Sequence, residues 1–266
     1  MIPIDTITRG IPQQGSKPKM ATQTTRWSII IPVYQEKATF RQLLDAVLKV
    51  ELVGVEKEII VVESNSTDGT RALVQEFEAK GLIKAIYEDK PQGKGHAVKA
   101  GLGVATGDWI LIQDADLEYD VADYAALWRS AEESGSDFVM GSRHMGREDW
   151  RYRRSGAGKW FGPIIDGGVW LLTQFFNTLY DVSLTDPCTM FKLFRRDCLE
   201  GITLRSDGFE MDLELVAKLI RKGIQPLEIP VTYNARSFAE GKKVRILRDG
   251  RRSLVTIVRS RFSPLS

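Results

Sequence analysis

Cysteine is scarce: 266 residues hold only Cys188 and Cys198, whose spacing suits neither a zinc site nor a disulfide framework. Reduced thiols, as in a cytosolic protein, are the simpler reading. No run of 18 or more apolar residues occurs, so no bilayer-spanning helix is expected. Met1 to Arg26 is polar and lacks an apolar signal-peptide core, and residues 1–25 read as a flexible extension. Glycine-rich phosphate loops are missing as well. The first strand is not followed by G-x-G-x-x-G, which argues against a dehydrogenase, and no G-x-x-x-x-G-K-[ST] loop is present. A G-x-G-T-R loop is also lacking, which argues against a sugar nucleotidylyltransferase.

What is present is ordinary in bulk, with 43% hydrophobic and 27% charged residues, enough for a sizeable core. The net charge of +2 is unevenly spread. Arg236 to Arg261 holds nine basic and two acidic residues, so the rest of the chain is mildly acidic. A basic tail on an acidic body points to an anionic partner.

From Trp27 the pattern alternates. Trp27–Val33, Glu58–Val62, Ile83–Tyr87, Trp109–Gln113 and Asp137–Gly141 read as short apolar strands. Between them, Phe40, Leu43, Leu44, Val47 and Leu48, then Leu73, Val74 and Phe77, recur at helical spacing, and Ala97–Ala105 and Tyr124–Glu133 also read as helices. Gly156–Leu179 is rich in aromatic residues and is interrupted by Asp166 and two glycines, so a short helix or a pair is expected. Phe191–Arg195, Glu210–Arg221 and Leu227–Tyr233 read as strand, helix and strand. The implied fold is α/β, an open and mostly parallel Rossmann-like sheet with helices on both faces. It occupies residues 26–235, with a basic tail over 236–266.

Ligands of such sheets bind beyond the carboxyl ends of the strands. There the sequence sets Pro32-Val33-Tyr34-Gln35-Glu36, Glu63 before S-N-S-T-D-G-T, and Asp114-Ala115-Asp116 followed by Glu118. Alternate residues of an extended segment share a face, so Asp114, Asp116 and Glu118 can converge on one hard cation, Mg2+ or Mn2+. The plainer alternative is a solvated acidic turn. Glu63 can accept from a nucleobase or ribose and can equally belong to a helix entry where Ser66 and Asp68 are good caps, the two being compatible. Lys94, in Gly93-Lys94-Gly95, either reaches a phosphate or is solvated.

The series I-I-I-P-V-Y-Q-E, E-I-I-V-V-E-S-N-S-T-D-G-T, G-K-G-H-A-V-K-A-G-L-G-V-A-T-G-D and I-Q-D-A-D-L-E-Y-D resembles glycosyltransferase family 2. It is most similar to that family's branch of dolichyl-phosphate mannose synthases and bacterial polyprenyl-phosphate hexosyltransferases. Order and spacing match over Trp27–Arg143 and more loosely to Lys243. The resemblance implies a GT-A fold, an inverting mechanism and a UDP- or GDP-sugar donor. It assigns Pro32, Tyr34, Glu36 and Glu63 to the nucleoside, and Asp114, Asp116 and Glu118 to metal and ribose. Arg143 becomes an acceptor-phosphate ligand, with Arg151, Arg153, Arg154 and Lys159 nearby. Arg236, Ser237, Lys242 and Lys243 resemble a late loop that closes over the donor diphosphate. Three departures stand out: Glu63-Ser64 replaces a frequent pair of aspartates, Glu118 replaces a common glutamine, and the membrane helices of many relatives are missing.

Leu184-Thr185-Asp186 and Thr189 resemble the family's acceptor-side motif. Asp186 is the first candidate for a general base if the acceptor is a hydroxyl, with Glu210 and Asp212 weaker ones. A phosphate acceptor needs no base. In the tail, Leu254, Ile257, Val258 and Phe262 sit at helical spacing among Arg248, Arg251, Arg252 and Arg259, as in a helix lying on an anionic membrane. Trp160, Phe161, Trp170, Phe175 and Phe176 form either a second interfacial surface or core. The expected function is hexosyl transfer from a nucleotide sugar to a polyprenyl phosphate, carried out peripherally at the cytosolic membrane face. Transfer to a glycan hydroxyl and a non-catalytic nucleotide-sugar module are the alternatives. No nucleic-acid partner is expected, because no aromatic-studded sheet signature occurs.

Overall fold

A computed structural model describes residues 24–146, 158–236 and 246–266, with side chains from Asp166 and from Arg248 onward in the two late helices. Ser237, Lys242, Lys243, Arg151, Arg153 and Arg154, and the side chains of Lys159, Trp160 and Phe161, lie outside the described residues.

The apolar, β-branched runs become the sheet. In chain order the strands are β1 (Thr25–Val33), β2 (Val55–Glu63), β3 (Lys84–Tyr87), β4 (Trp109–Ile112), β5 (Phe138–Ser142), β6 (Lys192–Arg195) and β7 (Leu227–Pro230). They assemble as β3-β2-β1-β4-β6-β5-β7. All pairings are parallel except those of β6, which runs antiparallel to both β4 and β5. Ile29, Ile30, Ile31, Ile60, Val61, Val62 and Ile110 to Ile112 are wholly buried, as continuous apolar runs in a covered sheet should be.

The helices are α1 (Phe40–Lys49), α2 (Thr70–Ala79), α3 (Lys94–Val104), α4 (Tyr124–Ser134), α5 (Gly158–Tyr180), α6 (Met211–Arg221) and α7 (Ile246–Phe262). Phe40, Leu43, Leu44 and Val47 form the buried stripe of α1. Just before α2, whose N-cap position is Gly69, the Asp68 carboxylate accepts from the Thr70 backbone amide at 2.9 Å. Trp27 packs edge-on against Trp128 of α4.

One expectation needs correction. Residues 158–180 form a single 23-residue helix, not a short helix or a pair. Asp166 does not break it, because that side chain is buried in line with Thr173, Phe176 and Tyr180 on the inner stripe. A Cβ at Gly167 or Gly168 would meet nothing, so both glycines are tolerated on the outer side. Among the described residues no helix is long and apolar enough to cross a membrane.

The last helix docks on the body. Ile257 is fully buried, and Tyr180 Oη donates to the Ile257 carbonyl at 2.8 Å. Arg221 of α6 reaches the Ser260 and Ser263 carbonyls at 2.5 and 2.6 Å.

Because β6 is reversed, the residues that lead into it arrive at the same edge where the parallel strands end. The turn at 184–189 thus joins the exits of β1, β2, β4, β5 and β7.

Candidate active site

On one side of this edge, carboxylates from β1 and β4 meet a cation from beyond β7. Arg236 grips Glu36 with both terminal nitrogens, at 3.0 and 3.2 Å, and pairs with Asp116 Oδ2 at 2.9 Å. Its backbone amide donates to Glu118 Oε1 at 2.8 Å, and Tyr233 Oη donates to Glu118 Oε2. Gln35, next to Glu36, and Leu117, between Asp116 and Glu118, are in the left-handed backbone region, as is Asn65 in the turn after β2. Such conformations cost free energy and cluster where geometry is dictated by a site.

Asp114 stands apart. Its Oδ1 lies 2.5 Å from Lys94 Nζ, and the Lys94 ammonium also lies 5.6 Å from the centre of the Phe209 ring. Lys94 is therefore spent on a carboxylate. Among the described residues, no three Asp, Glu, His or Cys side chains are gathered as a metal cage. Among the described residues, Lys94 pairs with Asp114, and Arg236 pairs with Glu36, Asp116 and Glu118. Burial, reinforced by the charges of Asp114 and Glu118, holds the Asp116 carboxyl above its ordinary range in spite of Arg236.

Glu63 is wholly buried and turned back on its own loop. Its Oε1 accepts from the Ser66 amide at 2.6 Å and Oε2 from the Asn65 amide at 3.2 Å, with Arg71 at 3.6 Å. The carboxylate shapes the turn between β2 and α2. Pro32 lies in register with Val62 of β2, and Tyr34 follows at the β1 exit.

Across the edge, Arg143 and Asp186 form a buried fork. Nε and a terminal nitrogen of Arg143 donate to the two Asp186 oxygens at 2.6 and 2.7 Å, and the Arg143 amide adds a third bond at 3.1 Å. Burial raises the Asp186 carboxyl, and the charge and hydrogen bonds of Arg143 more than reverse this, leaving it below the usual range. Glu228 of β7 holds the turn beneath by accepting from the Thr185 and Asp186 amides at 2.6 and 2.8 Å. Asp212 sits 3.4 Å from the fully buried Lys192. Glu210 is buried with Oε2 lacking a partner.

Tyr233 joins the two sides. Its hydroxyl serves Glu118, while its ring lies 5.2 Å from the Arg143 guanidinium carbon. Neither Tyr233 nor Glu228 nor Lys192 was legible as a site residue, since each lies in an apolar stretch that reads as strand. The structure thus brings together Glu36, Asp116, Glu118 and Arg236, and separately Arg143 with Asp186. It sets Glu63 and Lys94 beneath the surface of the site.

A mostly parallel sheet with a reversed strand and an acidic carboxyl edge is the fold of GT-A glycosyltransferases. It is shared with glucosyl-3-phosphoglycerate synthase of Mycobacterium tuberculosis, solved with Mn2+, UDP-glucose and phosphoglyceric acid. The TM-score is 0.64 at 16% identity, over 90% of this chain and 81% of that one. The chain belongs to glycosyl transferase family 2, whose model matches residues 28–203. It is 32% identical over 218 residues to a dolichol-phosphate mannosyltransferase of Pyrococcus furiosus, covering 81% of this chain and 58% of that protein. It is 26% identical over 239 residues to a polyprenol monophosphomannose synthase of Mycolicibacterium smegmatis, covering 86% and 84%. The chain therefore spans little more than half the length of the Pyrococcus relative.

Proposed function

We propose that this glycosyltransferase moves a hexose from a nucleoside-diphosphate sugar to a polyprenyl phosphate, with inversion. The carrying observation is the state of Asp186. Its carboxylate is buried and both oxygens are held by Arg143, so it is poorly placed to take a proton from a hydroxyl. A phosphate monoester needs no such base, being largely ionised near neutrality. Its oxygen attacks the anomeric carbon while the bond to the donor diphosphate breaks, the electron pair leaving with the diphosphate. Arg143 offers a planar cation beside this path, which suits a phosphate. The two relatives named for lipid-phosphate mannosyl transfer support the same acceptor class.

The donor-side carboxylates suit a divalent cation, being hard oxygen donors gathered around Arg236. Asp116, Glu118 and Asp114 would hold Mg2+ or Mn2+, and the bound ion would supply counter-charge to the leaving diphosphate. Arg236 stands among the same carboxylates and is the residue to pass to the diphosphate. Pro32 and Tyr34 at the β1 exit line the nucleoside side, and Lys242 is assigned to the same late loop as Arg236.

The acceptor's lipid nature calls for a membrane surface. Leu254, Val255, Val258 and Phe262 of α7 are exposed beside Arg251, Arg252 and Arg259, and Trp170, Leu171 and Phe175 are exposed on the adjoining α5. Apolar side chains among arginines fit an anionic, cytosolic leaflet.

Incubation with UDP- and GDP-hexoses, Mn2+ and a polyprenyl phosphate tests the reading. An acid-labile polyprenyl-phosphate hexose is the expected product, lost in Arg143→Ala with donor binding retained. Glu210 supports a second reading, since a buried carboxylate oxygen without a partner is a base candidate for a sugar hydroxyl. A stable glycoside whose formation collapses in Glu210→Gln would select that reading.

A further inference from the structure

The exit of the edge strand β3 carries a paired histidine and glutamate that the proposed transfer leaves unused. Glu88 directly follows β3, and its backbone amide donates to the Glu63 carbonyl at 2.8 Å. The next carbonyl, that of Asp89, accepts from Asn65 Nδ2 at 2.7 Å. These bonds set Glu88 beside the turn after β2, and its side chain is buried. Its Oε1 pairs with Nδ1 of His96, in the first turn of α3. Among the described residues its Oε2 has no hydrogen-bond partner.

A buried carboxylate with a single partner draws a hydrogen to that partner, so Nδ1 of His96 is the protonated nitrogen. Gln92 Nε2 lies 3.5 Å from the same nitrogen, at the limit of a hydrogen bond. In a neutral ring Nε2 is then a bare acceptor. The main chain fixes the other end of the residue, since the His96 amide donates to the Asp207 carbonyl at 3.1 Å. A Cβ at Gly93, where φ is +114°, would lie 2.2 Å from that same oxygen, so only glycine allows the approach. The His96 side chain is 35% exposed against 4% for Glu88, and the edge it shows is the one bearing Nε2.

The order of the strands says what can reach this edge. The proposed metal carboxylates follow β4, and the path β4-β1-β2-β3 passes Pro32 and Tyr34 before it meets Glu88 and His96. Three strand spacings make roughly 14 Å, the reach of an extended nucleoside diphosphate. At the β2 exit Glu63 spends both oxygens on its own turn, which leaves the base to find a partner farther along.

We infer that His96 reads the base of the donor nucleotide, its Nε2 accepting the imino N–H of a uracil or guanine ring. Glu88 is the positioning residue that keeps Nε2 bare. Uracil N3 and guanine N1 carry that hydrogen. Cytosine N3 and adenine N1 do not, and each would face Nε2 lone pair to lone pair. The pair therefore excludes cytidine and adenosine diphosphates without choosing between uridine and guanosine. The inference rests on the proposed nucleotide donor, whereas the Glu88–His96 contact does not.

Calorimetry on the full chain with Mg2+ tests it by comparing UDP with CDP and GDP with ADP. Whichever of UDP and GDP binds should exceed its counterpart by at least about tenfold, the scale for leaving a buried acceptor unmet. In His96→Asn the amide nitrogen takes the place of Nδ1, so the bond to Glu88 is kept and only Nε2 is lost. Its thermal midpoint should hold while the preference falls to within about twofold of none, and an unchanged preference overturns the inference. Glu88→Gln no longer dictates the tautomer and should weaken the preference by less, and an unchanged preference there overturns the positioning role. His96 and His144 are the two histidines, so ring-nitrogen resonances of the unaltered protein need one assignment, made with His144→Gln. This measurement stands even if His96→Asn does not fold. Hydrogen on Nδ1 and a bare Nε2 that shifts on binding UDP or GDP are expected. A ring protonated on Nε2, or an Nε2 resonance unmoved by a nucleotide that binds, overturns the inference. A protein with the expected ring that binds none of the four nucleotides supports the contact but refutes the proposed donor, and the reading of a base falls with it.

Discussion

The proposed acceptor half and the proposed donor half of the site treat their carboxylates differently. In the acceptor half Asp186 has Arg143, Asp212 has Lys192 and Glu228 has two backbone amides, and Glu210 alone of the four keeps a buried oxygen without a partner. In the donor half, among the described residues, Glu36, Asp116 and Glu118 share the Arg236 guanidinium, which comes from as many as 200 residues along the chain. The Arg236 side chain is 19% exposed, against 0% for Asp186. A matched and buried pair is held in place before any ligand arrives. A shared cation at the rim can be exchanged for a ligand.

The sharpest way to break this contrast is Asp116→Ala. Transfer should fall at least about a hundredfold, the scale of losing an electrostatic partner of developing charge. Circular dichroism should stay unchanged, and near-normal turnover in chelator would show that no cation is exchanged there.

Next is stability. Arg143→Ala leaves the Asp186 charge buried and unpaired and should cost about 3–5 kcal/mol by denaturant titration. Arg236→Ala should cost less, and added manganese should recover the difference in thermal midpoint. Equal losses, indifferent to manganese, would erase the distinction between the halves.

Acid gives a smaller effect of definite sign. Asp186 lies below its ordinary value in the fold, so its pairing contributes fully above about pH 4, the unfolded value. The contribution is lost as pH falls through the depressed folded value. The stability gap between wild type and Asp186→Asn should narrow between about pH 7 and about pH 3. A gap that widens on acidification contradicts the fork.

The smallest expected change lies farthest from both halves. Arg251→Gln with Arg252→Gln should reduce sedimentation with phosphatidylserine vesicles several-fold and leave binding of free nucleotide as it was. Unchanged sedimentation would remove α7 from the membrane surface.

The donor half was the more legible in sequence, for a physical reason. W-S-I-I-I-P-V, E-I-I-V-V-E and W-I-L-I are apolar enough to be strands wherever they sit, and acidic residues at their ends fall at a ligand edge by topology alone. Phe191–Arg195 read equally well as a strand, yet nothing local told its direction. Pairing against β4 and β5 reverses it, and that reversal brings Asp186 to the site. Glu63 carried two compatible readings, ligand and helix entry, and its bonds to the Asn65 and Ser66 amides belong to the second. The meeting of Arg236 with Glu36 depends on side-chain packing between distant segments, which no spacing rule reports.

The position of β6 also shapes how the chain is made. β4 pairs with β1 on one side and with β6 on the other, and Lys192 follows Ile112 by eighty residues. At ribosomal speeds that gap lasts roughly 4–16 s. Throughout it the W-I-L-I segment, buried in the finished sheet, shows a bare backbone edge on which another nascent copy can template. Slow codons between positions 113 and 191 would therefore raise aggregation during synthesis while leaving the mature protein's melting point untouched.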